Sequence, residues 1–285
     1  MRLFVVSGDP ISHSLSPIMH NAAFKVLGLD DCTYEPMKVG KGSIHSLISL
    51  MREGKIIGAN LTHPLKEEVI PFLDNLSSNA KACNSVNTLM LKGSNIIGLT
   101  TDGEGCVKAL QSKGIKLLGK KIVVIGAGGA AKSIALSILK RGPKRLYVIN
   151  RTIERAKSLA DSIRDYDNIR VKSWKELNDY VDSADIIINC TTVGMKGHED
   201  ILPISADVLD EYKVIMDIVY EPIETKLLKM ADSAGCMTID GVEMLVMQAA
   251  LSFEMWTGLQ PPVDIMKSAA KKEIEERLGC VSLSL

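Results

Sequence analysis

Short apolar runs bounded by polar turns alternate with stretches of helical period along most of the chain. Leu3 to Val6 predicts a strand, and Ile18 to Leu27 a helix with Ser16 and Pro17 as its N-cap and first turn. Cys32 to Met37 predicts a strand and Ser43 to Arg52 a helix. Ile56 to Asn60 predicts a further strand, which runs out into Leu61, Thr62, His63 and Pro64. Lys66 then opens a helix-like stretch over Glu67 to Ile70. Ser85 to Leu91 and Ile96 to Thr100 predict two strands joined by a turn at residues 92–95. Alternating strand and helix implies βαβ units and a mostly parallel sheet, and the hairpin makes part of that sheet mixed.

A boundary falls near Thr101 to Gly105, followed by a helical pattern from Val107 to Lys113. A second series then predicts strands at Ile122–Ile125, Arg145–Ile149, Ile169–Lys172, Asp185–Asn189, Val214–Ile218 and Met237–Ile239. Six strands with intervening helices match a doubly wound nucleotide domain. After Gly241 the pattern is helical, over Val242–Thr257 and Val263–Leu278, with no sheet of its own. Those helices are expected to pack back on the first domain. The expected fold class is α/β with two α/β domains. Residues 1–103 plus 241–285 form one with a mixed, mostly parallel sheet; residues 104–240 form a Rossmann domain.

Aromatic residues make up only 4% of the 285 residues against 46% hydrophobic, so the core must be largely aliphatic. The formal net charge of zero argues against nucleic acid as a main partner and leaves small anionic ligands open. The six cysteines form no C-x-x-C pair, and no His/Cys cluster has zinc-ligand spacing, so no metal is expected. No apolar run approaches a membrane span, and the N-terminus lacks a secretory pattern. A reduced, cytoplasmic protein is expected, as a monomer or homodimer.

The strand Lys121–Ile125 leads into Gly126, Ala127, Gly128, Gly129, Ala130 and Ala131. The first glycine permits a tight turn, the second lets backbone approach a pyrophosphate, and Ala131 takes the close-packing third position. The following helix N-terminus offers free N–H groups to phosphates. An ordinary tight turn is the plainer alternative. Where an NAD-binding domain would place an acid, the chain has Asn150, Arg151 and Thr152, then Arg155. Arginine pairs with a 2′-phosphate that an acid would repel, so NADP is favoured over NAD. Solvated arginines at a helix start are the alternative there.

Asn60 to Lys66 places an amide, a hydroxyl and an amine at the C-terminal end of a strand, where ligands gather in α/β sheets. The loop from Gly8 to Pro17 is dense in hydroxyls, among them Ser14 and Ser16. Asp102, in Thr100-Thr101-Asp102-Gly103, reads alone as a turn and together with Lys66 as an acid–base candidate. Asn87 lies within a strand pattern, where an amide needs a partner.

Taken in order, the Ser14-Leu15-Ser16-Pro17 loop, Asn60 to Lys66, Val86-Asn87-Thr88, Thr101-Asp102-Gly103, the glycine loop, Asn150-Arg151-Thr152 and Gly241 to Gln248 resemble the shikimate/quinate dehydrogenase family. The resemblance runs from about Leu3 to about Leu259. It implies NADP-dependent, reversible reduction of 3-dehydroshikimate to shikimate, in a cleft between a substrate domain and an NADP domain. Ser14 and Ser16 would bind the substrate carboxylate, with Tyr220 near it. Asn60, Thr62, Asn87 and Gln248 would bind ring hydroxyls or position the ring, and Lys66 and Asp102 would be the catalytic pair. Gly126, Ala127, Gly128, Gly129 and Ala130 would bind the pyrophosphate. Asn150, Arg151, Thr152 and Arg155 would bind the 2′-phosphate, and Ile218 and Gly241 would flank the nicotinamide. The chain departs from the family pattern at Thr100, usually asparagine, at Asn84-Ser85, usually Gly-Ala, and at His63, usually apolar. A quinate or dual-specificity dehydrogenase is the nearest alternative. A non-catalytic ligand-sensing relative is another, which Lys66 and Asp102 argue against.

Overall fold

The computed structural model describes residues 1–195, 197–199 and 201–282. The chain forms two compact units, Met1–Thr101 with Val246–Leu285, and Asp102–Leu245. The first begins with β1 (Arg2–Gly8), α1 (Ser16–Val26), β2 (Cys32–Lys38), α2 (Ile44–Arg52) and β3 (Gly58–Leu61). It continues with α3 (Leu65–Glu68), β4 (Asn75–Leu76), α4 (Ser78–Cys83), β5 (Thr88–Lys92) and β6 (Asn95–Leu99). The second holds α5 (Asp102–Ser112), β7 (Lys121–Ile125), α6 (Gly129–Leu139), β8 (Arg145–Ile149), α7 (Ile153–Ser162) and β9 (Ile169–Lys172). There follow α8 (Leu177–Asp182), β10 (Ile186–Asn189), β11 (Val214–Asp217), α9 (Lys226–Ser233) and β12 (Met237–Ile239). Two last helices, α10 (Gly241–Thr257) and α11 (Val263–Ser282), complete the chain.

The first sheet runs β2-β1-β3-β5-β6-β4. It is mixed, because β5 pairs antiparallel with both β3 and β6 while the other pairs are parallel. Successive side chains on a strand face opposite ways, so β1 serves two cores. Val5 joins Ile44, Leu47, Met51, Leu65, Leu89 and Ile96 in an aliphatic cluster. Phe4 meets the rings of Phe24 and Trp256 at 5.4 and 5.1 Å. Tyr34 and Phe253 join the same group around His20, so this face of the sheet carries an aromatic core. Helix α11 packs on α1, and the Arg277 guanidinium donates to the His13 carbonyl at 3.0 Å.

The second sheet is wholly parallel, in the order β12-β11-β10-β7-β8-β9. That is the doubly wound order, with its switch point between β7 and β10. Its strands are short aliphatic runs because helices cover both faces, and Val123, Ile125, Ile187 and Ile215 lie in one buried cluster with Leu227 and Leu228 of α9.

Several local expectations are corrected. Ser16 does not cap α1; Leu15 holds the N-cap position and Ser16 lies buried in the first turn, its N–H donating to the Ser14 hydroxyl at 3.3 Å. Strand β5 starts at Thr88, so Asn87 precedes it, although its backbone still bonds Leu61 and Leu99. Helix α5 starts at Asp102, because an acid suits a helix N-terminus and offsets two early glycines. The helix expected over Glu67 to Ile70 starts earlier, as α3, and gives way to a 3-10 turn at Ile70–Phe72. β4 and α4 were not expected: one is two residues long, the other a single polar turn capped by the Ser77 hydroxyl. Cys32, Cys83, Cys106, Cys190 and Cys236 are free thiols, while the side chain of Cys280 lies outside the described residues. Among the described residues no helix is long and apolar enough to cross a membrane.

Candidate active site

In the first unit, residues from distant parts of the sequence converge on one buried polar cluster. The Tyr34 hydroxyl donates to Asn60 Oδ1 at 2.7 Å, and the Ser16 side chain lies beside that hydroxyl. Asn60 Nδ2 donates to the Asn87 carbonyl, Thr88 Oγ1 and Ser252 Oγ at 3.0–3.2 Å. Asn87 Nδ2 reaches Thr101 Oγ1 at 2.9 Å and Gln248 Oε1 at 3.3 Å, and Asn87 Oδ1 accepts from the Thr101 N–H at 2.7 Å. Thr88 and Ser252 share a hydrogen bond of 2.9 Å. An unpartnered buried amide costs about 1–3 kcal/mol, so these bonds hold each amide in one rotation. Of the expected substrate residues, Ser16, Asn60, Asn87 and Gln248 are brought together here.

Tyr34, Thr88, Thr101 and Ser252 belong to the same cluster and were not singled out from the sequence. Ser252 is detectable in principle, since it sits four residues after Gln248 on one helix face. Tyr34 has no local signal, because its partner Asn60 lies on another strand.

Ser14 and Thr62 are half-buried. Thr62 is fixed by its backbone, its N–H donating to the Ser7 carbonyl at 2.9 Å and its carbonyl accepting from Leu65. Lys66 lies on α3, half-buried, and its carbonyl accepts the Val86 N–H at 2.9 Å, which ties α3 to the segment bearing Asn87. His63 is exposed on the turn before α3. The departure at Asn84 has a plain reason. It is the C-cap of α4 in the left-handed region, at φ 48°, where glycine is favoured and asparagine is the best substitute.

In the second unit Asp102 is the first residue of α5 and is 5% exposed. Gly103 follows it, and its N–H donates to Ser133 Oγ on α6 at 2.9 Å. A Cβ on Gly103 would lie 2.1 Å from the Ser133 carbonyl oxygen, so only glycine permits this approach of α5 to α6.

The glycine loop has the make-up a pyrophosphate needs. Gly126 adopts φ 114° and packs against the Cys190 carbonyl, a conformation closed to other residues. Gly128 is the N-cap of α6, has open space where a side chain would stand, and leaves the N–H groups of the first turn without a side-chain cap. Ala131 is fully buried. Just after strand β8 comes Asn150, whose amide donates to the Thr152 carbonyl at 2.8 Å, and Arg151, Thr152 and Arg155 stand exposed around the start of α7. This donor set fits a dinucleotide bearing a 2′-phosphate. A Cβ on Gly241 would sit 2.7 Å or less from the carbonyl oxygens of Ile218 and Val219, so these expected nicotinamide neighbours are packed on one another. Tyr220 is half-buried just beyond β11. Among the described residues no group of three or more His, Cys, Asp or Glu is placed to hold a metal ion.

A polar cradle with an adjoining lysine in one unit, and a glycine loop with an arginine-rich second strand end in the other, are the parts of a two-domain NADP-dependent oxidoreductase. Residues 6–89 match the family model described as shikimate dehydrogenase substrate binding domain, residues 95–243 that of shikimate / quinate 5-dehydrogenase, and residues 241–271 that of the shikimate 5′-dehydrogenase C-terminal domain. The chain belongs to the shikimate dehydrogenase family. It is 42% identical to the NADP⁺ shikimate dehydrogenase of Pyrococcus abyssi, over 98% of this chain and 99% of that protein. The Bacillus subtilis enzyme is 41% identical, over 94% and 95%. A shikimate dehydrogenase crystallised with NADP⁺ superposes with a TM-score of 0.91 at 35% identity, over 96% of each chain. The Thermus thermophilus enzyme, solved with NADP(H) and shikimate, gives 0.87 at 34%, over 95% of this chain and 99% of that one.

Proposed function

We propose that this chain catalyses the NADP-dependent, reversible reduction of 3-dehydroshikimate to shikimate, on the route to the aromatic amino acids. The observation that carries the reading is the convergence of Asn60, Asn87 and Gln248 on one buried network of amides and hydroxyls, with Ser16 beside it, a surface suited to a polyhydroxylated acid. Ser14 and Ser16 bind the carboxylate, with Tyr220. Thr62, Asn87 and Gln248 meet the ring hydroxyls, with Asn60 behind them. NADPH, held by Gly126 to Ala130 and by Asn150, Arg151, Thr152 and Arg155, with Ile218 and Gly241 at the nicotinamide, supplies the hydride.

Lys66, as ammonium, stabilises the negative charge that develops on the substrate carbonyl oxygen and gives it a proton. In the reverse direction the neutral amine takes the hydroxyl proton. Asp102 is the second member of the pair and accepts a hydrogen bond from the same region of the ring. Positioned acid–base groups of this kind are worth about two to four orders of magnitude in rate, and orientation of the ring by the network adds to that. The reading includes a cytoplasmic setting, a monomeric or homodimeric state, and no nucleic-acid or membrane partner.

The test follows reduction of NADP⁺ and of NAD⁺ with shikimate and with quinate in turn. Shikimate with NADP⁺ is the expected best pair. Equal turnover of quinate would make the enzyme dual-specific, and no turnover of either acid would overturn the proposal.

A further inference from the structure

Asp217 is fully buried at the last rung of the β10–β11 pairing, directly opposite Asn189, which is also fully buried. Three donors converge on its carboxyl. Asn189 Nδ2 and the Val219 N–H donate to Oδ1 at 3.0 and 3.1 Å, and the Thr225 hydroxyl donates to Oδ2 at 2.7 Å. Each comes from a different segment. The Asn189 amide, held this way, accepts from the Thr191 N–H and hydroxyl and donates to the Val193 carbonyl. It thereby shapes the turn whose Cys190 carbonyl lies against Gly126. Val219 carries the carbonyl against which Gly241 packs, and Thr225 caps α9.

We propose that Asp217 is a positioning residue for the cofactor: one buried carboxylate sets the turn that packs on Gly126, expected at the pyrophosphate, and the loop that carries Ile218 and Val219 against Gly241, expected at the nicotinamide. The inference rests on the cofactor reading above. A carboxylate suits the position because all three partners are donors. An amide offers one acceptor oxygen and turns N–H groups toward whichever partner is left. Burial pushes the carboxyl up to about 6, and it is largely ionised at neutral pH. The assignment separates two halves of the cofactor site. The adenosine end, at Arg151 and Arg155, shares none of these hydrogen bonds.

The experiment measures dissociation constants for NADP⁺ and for adenosine 2′-monophosphate, a probe lacking the pyrophosphate and the nicotinamide, by calorimetry at pH 7.5. The proteins are the unaltered chain, Asp217→Asn and Asp217→Ala. The near-isosteric asparagine variant is the informative one should the alanine variant fail to fold. The expected result for Asp217→Asn is NADP⁺ affinity weakened roughly 10- to 100-fold, as for loss of one charged hydrogen bond, with affinity for adenosine 2′-monophosphate within about twofold of the unaltered chain. Equal loss for both ligands, or NADP⁺ affinity within twofold, would overturn the positioning role while leaving the cofactor reading intact. Failure of the unaltered chain to bind NADP⁺ would overturn that reading, and this inference with it.

Discussion

His20 makes the pH dependence of stability a direct test of the aromatic core. Its ring is fully buried, stacks on Tyr34 at 4.4 Å with 6° between planes, and lies 5.4 Å from the Trp256 ring. Neither ring nitrogen has a hydrogen-bond partner. Burial lowers its pKa from the ordinary 6.5 to about 3. The native state therefore refuses a proton that the unfolded chain accepts from pH 6.5 downward. Stability is unaffected by this group above that pH and is lost between 6.5 and about 3. At about 1.4 kcal/mol per pH unit, the loss is about 1 kcal/mol at pH 5.5 and about 3 kcal/mol at pH 4.5. That is a large share of a typical domain's stability. The perturbation is His20→Phe, which keeps a stacking ring and removes the titration. The assay is urea unfolding followed by Trp256 fluorescence in a Trp174→Phe background, so that the signal reports the first unit. Any repacking offset at pH 7 is common to all pH values. Other groups, such as Asp217 with its opposite sign, are present in both proteins and cancel. The gap between the two proteins should open by about 3 kcal/mol from pH 7 to pH 4.5. Parallel curves over that interval would refute a neutral, unpartnered His20.

Lys66→Ala should lower kcat by about two to four orders of magnitude while KM changes far less; steady-state kinetics showing a large KM change at near-normal kcat would reduce Lys66 to a binding residue. Gly103→Ala should destabilise the second unit by about 1–3 kcal/mol, because its methyl would meet the Ser133 carbonyl and the Ser137 hydroxyl. An unaltered melting temperature would show that α5 and α6 have slack. Asn84→Gly should be neutral within a few tenths of a kcal/mol, whereas Asn84→Ala should cost about 1 kcal/mol for its left-handed backbone. Chemical denaturation compares the two, and equal stabilities would contradict the conformational argument.

The parts of the molecule legible in the sequence are those governed by local rules. The Rossmann strands are continuous aliphatic runs such as Ile186 to Ile188, and the glycine loop announces its own geometry. The start of α5 was misplaced because Gly103 and Gly105 lower local helix propensity, while the fold uses Gly103 for a close helix crossing that no local pattern encodes. The candidate site residues stand in the sequence as an ordered set of motifs. Its supporting layer was not, since Tyr34 and Asn60 meet across the sheet and Asn60 meets Ser252 from a helix near the other end of the chain. No local signal marks Asp217, because convergence of three donors on one carboxyl is a tertiary event.

Helix α1, which carries Ser16 and His20, is covered by α11, which follows the second unit in the chain. On the ribosome β1 to β6 emerge before the second unit, yet α10 and α11, part of their helical cover, arrive only after it. That unit is free to fold in the interval. Its compaction brings Thr101 and Val246 nearer than a disordered insert would, and so lowers the entropy of closing the loop. The nascent first unit meanwhile waits with the side of α1 that α11 covers open to solvent and to chaperones. A chain clipped before α11 should therefore keep a folded dinucleotide unit while presenting quality control with an unfinished neighbour, so that loss of the last helix shows first as low abundance in the cell.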